Sequence, residues 1–176
     1  MENRSWIIRI TLMSVAASVV FTLVSDKVIG GAGYIASFLV LLVFVLLGIV
    51  FDVIGVAVTS AVEAPFHSMA AHKERGAVEA IRLIKNANKV SSVCNDVVGD
   101  ISGIVSGTTA ALIAARLANS FSFNELVLQL AVSAVVTGLM IGGKAAGKLF
   151  AMSKTTDIIL RVGRVISILP KKSKER

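Results

Sequence analysis

The chain has 176 residues, 55% of them hydrophobic and only 16% charged, with a formal net charge of +7. A soluble domain has about 45–50% apolar and about 25% charged residues, so the surplus apolar surface excludes an ordinary water-soluble fold, and the length allows one compact domain. The single cysteine, Cys94, excludes an internal disulfide and reads as a small packing residue.

A membrane-crossing helix needs ~20 mostly apolar residues. Residues 6–24 (WIIRITLMSVAASVVFTLV) meet that length and carry one charge, Arg9. A cleaved signal peptide is the competing reading, but the following SDKVIGG lacks a small-x-small cleavage pattern, so a retained helix is expected. Residues 34–58 form a second span whose one charge is Asp52. Its continuation, DVIGVAVTSAVEAP over 52–65, weakens at Gly55 and passes Ser60 to reach Glu63 and Pro65. A proline pushes the preceding residue out of the α region, which predicts a stop or kink there. A broken helix can offer carbonyls to an ion; a plain helix end with Glu63 in water is the alternative.

Residues 65–88 place Phe66, Met69, Ala77, Ala80, Ile81 and Ile84 opposite Lys73, Glu74, Arg82 and Lys85. That pattern predicts a basic amphipathic helix along the membrane surface. His67 and His72 are five apart, a poor spacing for two ligands on one helix, and read as interfacial residues.

The third span, residues 90–115, holds the most polar stretch. On a wheel of ~100° per residue, Ser92, Asn95, Asp96, Gly99, Asp100, Ser102, Gly103, Ser106 and Gly107 share one arc, opposite Val93, Cys94, Val97, Val98, Ile101, Ile104 and Val105. Gly99, Gly103 and Gly107 allow close helix packing. A carboxylate in the bilayer costs at least ~2.5–3.5 kcal/mol on insertion scales, so it requires a cation, water or a proton. Asp52, Glu63, Asp96 and Asp100, with Ser60, Ser92, Asn95 and Ser102, form an oxygen-rich set of the kind that Mg2+ and Ca2+ take. A structural polar seam and a proton relay are the alternatives.

The fourth span, residues 125–151, carries Gly138, Gly142, Gly143 and Gly147, and residues 155–169 repeat the basic amphipathic pattern. GGKAAGK lacks the GxxxxGK[ST] spacing of a phosphate loop, and there is no nucleophile–base pair, so no enzyme is expected. With the N-terminus inside, 16 of the 18 basic residues fall on the inner side, leaving Lys27 and Arg116 outside. That distribution predicts both termini in the cytoplasm and a place in the cell membrane. The positive charge is thereby explained by topology and anionic lipid, with no nucleic acid partner.

The order of these features resembles the transmembrane domain of the CNNM/CorC (CorB) magnesium transport family, over roughly residues 33–169. Ser60 and Glu63 match the family's Ser-Gly-x-Glu stretch. Lys73, Arg75 and Gly76 suit its amphipathic helix, and Asn95, Asp96 and Gly99 fall near its asparagine motif. Gly143 and Lys148 match the ends of its Gly-Glu-x-x-Pro-Lys motif, with Lys144 where the family has Glu and Gly147 where it has Pro. The resemblance implies an all-α, polytopic protein: an extra helix and loop over 1–32, a CNNM-type bundle over 33–169 and a basic tail over 170–176. It also implies a homodimer, Mg2+ as cargo and Na+ as counter-ion. The expected ligands are Ser60, Glu63, Asn95, Asp96, Asp100 and Ser102, supported by Asp52, Gly99 and Gly103. The family's nucleotide-sensing CBS domains are not expected in this chain. The alternative is a non-transporting subunit, with Lys144 replacing the ion, that docks a separate CBS-domain or other regulatory protein.

Overall fold

An apolar run can satisfy its backbone polar groups in lipid only by bonding within itself or in a closed barrel. Here every element among the described residues is helical. The structure is a computed structural model that describes residues 2–31, 33–121 and 123–168; Leu169 and the basic tail over 170–176 lie outside the described residues.

Helix α1 spans Glu2–Gly31, α2 Tyr34–Ser60, α3 Ala64–Ala71, α4 Ala77–Lys85 and α5 Ala87–Ser92. A π-helical segment, Val93–Asp100, joins α5 without a break to α6, Ile101–Phe121, followed by α7, Glu125–Ser153, and α8, Thr155–Ile168. Four helical stretches are long and apolar enough to cross a membrane: Arg4–Lys27, Tyr34–Ser60, Ala87–Phe121 and Glu125–Ser153. They coincide with the four expected spans, with ends extended by a few residues where polar positions continue the helix.

Helix α2 is the hub, touching α1, the π segment, α6, α7 and α8. Its mean composition explains this: a run such as Leu41, Phe44, Val45, Gly48 repeats at helical spacing and is buried against two different neighbours. Leu41 and Val45 pack with Ala110, Ile113, Val136 and Met140, while Phe44 packs with Val97, Ile101 and Val105. Helix α1 runs parallel to the π segment and α6. The Lys89 ammonium stands 5.5 Å from the Trp6 ring centroid, Phe21 meets Phe44 at 5.7 Å, and the Ser25 and Thr109 hydroxyls are 3.0 Å apart.

The helix break before Pro65 occurs as expected. Helix α2 ends at Ser60, Ala61 turns extended, and Pro65 occupies the first turn of α3, where its missing N–H costs nothing. The single amphipathic helix expected over 65–88 is instead two helices, split where Lys73 and Gly76 take φ of 57° and 89°. Part of each amphipathic face packs inside the protein. Phe66, Ala77 and Ala80 bury themselves against Ile159 and Leu160 of α8 and against Ala57 and Val58 of α2. Gly76 and Gly163 make this possible: a Cβ on either would run into the backbone of the other helix. Arg164 closes the contact with a 2.9 Å bond to Glu74. Val165 and Ile168 stay exposed on α8.

Candidate functional site

The polar residues inside the bundle form a seam between α2 and the helix that runs from the π segment into α6. Gly48, Asp52 and Gly55 recur at i, i+4 and i+7, one face of α2. A Cβ on Gly48 would lie 3.3 Å from the Ser102 Cβ and 3.6 Å from the Gly99 carbonyl oxygen, and one on Gly55 would collide with Asn95 Oδ1. The two glycines thus let the helices approach closely, and Asp52 sits between them, only 5% exposed.

On the facing helix, Ser102, Ser106 and Thr109 repeat the same i, i+4, i+7 spacing and are buried completely or nearly so. Four side-chain oxygens on these two helices are buried without a hydrogen-bond partner: Asp52 Oδ2, Asn95 Oδ1 and Ser102 Oγ in the seam, and Ser106 Oγ one turn beyond Ser102. Serines in membrane helices ordinarily bond back to a carbonyl one turn earlier, as Ser14 does to Ile10 at 2.8 Å. Ser102 and Ser106 do not. Counted along the helix, Asn95 to Thr109 covers about 20 Å of a ~30 Å hydrocarbon layer. Asp52 lies about 12 Å along α2 from Ser60, where that candidate span ends.

Helix α7 closes the third side. It runs parallel to α2, with Gly143 against Ile49 and Gly147 packed on Val53. Lys144 lies between them, at the level of Asp52. Its ammonium is 3.6 Å from where a Gly99 Cβ would be, and among the described residues it forms no ion pair within 4.0 Å.

Of the expected ligands, Asn95 and Ser102 reach the seam, and Asp52, expected only as support, is its one carboxylate. Asp96 and Asp100 do not reach it: both are exposed on the outside of the bundle. The reason is the π segment. Its wider i→i+5 turns take almost one more residue each than an α-helix, so a wheel drawn at ~100° per residue loses its phase over Val93–Asp100. Ser60 is exposed at the end of α2. Glu63 is also outside the seam, accepting from His67 Nε2 at 3.0 Å and facing Lys85 Nζ at 3.6 Å. Lys144 therefore forms no ion pair with Glu63, Asp96 or Asp100 and lies instead beside the backbone of Gly99. Gly99 and Gly103 do face α7, toward Lys144 and Met140, whereas Gly107, Gly138 and Gly142 have open space before them. Among the described residues, no three of His, Cys, Asp and Glu group closely enough to hold a metal on their own.

Sequence reasoning missed Gly48 and the pairing role of Gly55; the i, i+4, i+7 repeat around Asp52 was the signal that could have found them. A second feature, an apolar groove of about 650 Å³ between α2 and α7, is lined by Phe38, Leu42, Val132, Val135 and Leu139 and lies apart from the seam. No protein-family model, curated protein or solved structure matches this chain.

Proposed function

We propose that this chain is an integral membrane protein that binds and transports a small cation, of the CNNM/CorC type and with Mg2+ as the favoured cargo, through a site centred on Asp52. The observation that carries this reading is the set of four unpartnered buried oxygens. Leaving a buried polar atom unsatisfied costs about 1–3 kcal/mol, and a carboxylate, an amide oxygen and hydroxyls together are the donor chemistry of hard cations. Mg2+ commonly keeps several waters and uses one or two carboxylates, which fits a seam with one. Na+ enters only as the counter-ion that the family resemblance implies.

In this reading the end of the bundle that carries α3, α4 and α8 faces the cytoplasm of the cell, because the basic residues gather there. A homodimer is part of the same reading. Asp96 and Asp100 stand on the outer face at the level of the seam, where a charge next to lipid is expensive and a second copy would cover it. The second reading, a subunit that docks a CBS-domain or other regulatory protein, draws on exposed Lys73, Arg75, Arg161 and Arg164 at that end.

Calorimetric titration of Mg2+ into the purified protein is the test. Binding by the wild type that is lost in Asp52→Asn but kept in Asp96→Asn is expected. Binding that survives Asp52→Asn would remove the seam as the site, and absence of binding in every variant would leave the docking reading in its place.

A further inference from the structure

Asp52 buries a carboxylate with one oxygen unpartnered, and Lys144 stands on α7 between Gly143 and Gly147, which pack on Ile49 and Val53 to either side of Asp52 in the sequence of α2. A carboxylate removed from water without a compensating charge is strongly unfavourable. The α7 ladder fixes where Lys144 stands: Gly143 against Ile49 and Gly147 on Val53 bracket the turn of α2 that carries Asp52. Gly99 of the π segment approaches both helices: its carbonyl oxygen faces Gly48, one turn from Asp52, and the Lys144 ammonium lies 3.6 Å from where its Cβ would be. Gly99 has no side chain to obstruct the passage. A lysine ammonium on a flexible four-carbon stem can cross such a gap by changing rotamer.

We propose that Lys144 is a tethered cation for Asp52: it neutralises the carboxylate when the seam is empty, and an incoming cation must displace it. This part of the mechanism rests on the cation-transport reading above. It gives the site a built-in competitor, so that loading the seam and releasing the ammonium from it are one exchange. Charge balances in both states, with a single positive group facing Asp52 at a time for a monovalent cargo. For a divalent cargo, the site carries one positive charge more than the carboxylate, which favours onward release.

The test is a double-mutant cycle read by thermal unfolding in detergent, with cation titration on the same samples. Asp52→Asn and Lys144→Met are each expected to lower the melting temperature, by about 5–10 °C, because Lys144→Met leaves the buried Asp52 carboxylate without a counter-charge and Asp52→Asn removes the partner of a partly buried ammonium. The double variant is expected to recover most of that loss, and Lys144→Arg to stay near wild type. If a single variant does not fold, folding of the double variant supports the pair and its failure to fold overturns it. Additive losses would also overturn it, whatever the ion does. In the titration, Lys144→Met is expected to bind Mg2+ about tenfold or more tightly than wild type, since a like charge has been removed. A coupled cycle with unchanged Mg2+ affinity would reject the displacement step and reduce the pair to structure. A coupled cycle with no binding in any variant would reject the transport reading, and the displacement step with it, while the pair stands.

Discussion

Ser106 buries a hydroxyl that meets no partner, one turn beyond Ser102, which does the same. If that hydroxyl is truly idle, Ser106→Ala removes a desolvated group and nothing else, and stability should stay level or rise by up to about 1 kcal/mol. A loss of more than about 1 kcal/mol in chemical denaturation would mean that the hydroxyl holds a water or an ion. The glycines supply a second comparison. At Gly163 an added methyl would strike the backbone oxygen of Gly76, which cannot swing away; at Gly55 it would strike the end of the Asn95 side chain, which can. Gly163→Ala is therefore expected to cost about 1–3 kcal/mol and Gly55→Ala distinctly less, with overpacking the cause in both. The reverse order in melting experiments would mean that Asn95 is held more rigidly than the α4–α8 contact. These single positions were only partly legible beforehand. Asn95, Ser102 and Ser106 announce themselves as polar residues in an apolar helix, whereas Gly48 and Gly55 matter only because of what stands opposite.

The π segment changes which residues of the third span meet α2 and which meet the outside, so it is the element on which the site depends most. Deleting one of its residues, Val98, would let α5 and α6 join as a continuous α-helix and turn α5 by about 100° relative to α6. Asn95 would then leave Gly55. A larger side chain at Gly55 should become tolerable: the loss caused by Gly55→Leu is expected to shrink in the Val98 deletion background, a non-additivity that ordinary distant mutations do not show. Equal losses in both backgrounds would show that the segment does not set the position of Asn95. The α4–α8 contact belongs to the same scale. The Glu74–Arg164 bond is half exposed on both sides, so breaking it with Glu74→Gln is expected to cost well under about 1 kcal/mol, against the larger effect of Gly163→Ala at the same crossing.

For the molecule as a whole, four spans put Phe123 and Asn86 at opposite ends of the bundle, since Asn86 precedes the third span and Phe123 follows it. In a Cys94→Ser background, Phe123→Cys should react with a membrane-impermeant maleimide on intact cells and Asn86→Cys only after permeabilisation. The opposite pattern would invert the orientation drawn from the basic residues. Helix α1 enters the whole through one narrow face, by Trp6, Phe21 and Ser25, and leaves most of its apolar surface outward. That division is what a helix at the edge of a lipid-embedded bundle requires, and its uniform hydrophobicity gave no periodicity from which to read the contact face.

The sequence by itself determined the four helices long and apolar enough to cross a membrane, their places and the break ahead of Pro65. These are local matters: in lipid each run must satisfy its own backbone, and a proline constrains the residue beside it regardless of the rest of the chain. Which polar residues are buried together was decided only by the tertiary structure. Asp52 gained a place in the seam and Asp96 and Asp100 lost theirs because that outcome depends on how far each helix is rotated. The rotation is fixed by a π turn, by glycines that admit close approach, and by neighbours forty or more residues away in the chain. Periodicity along one helix carries the first kind of information and not the second.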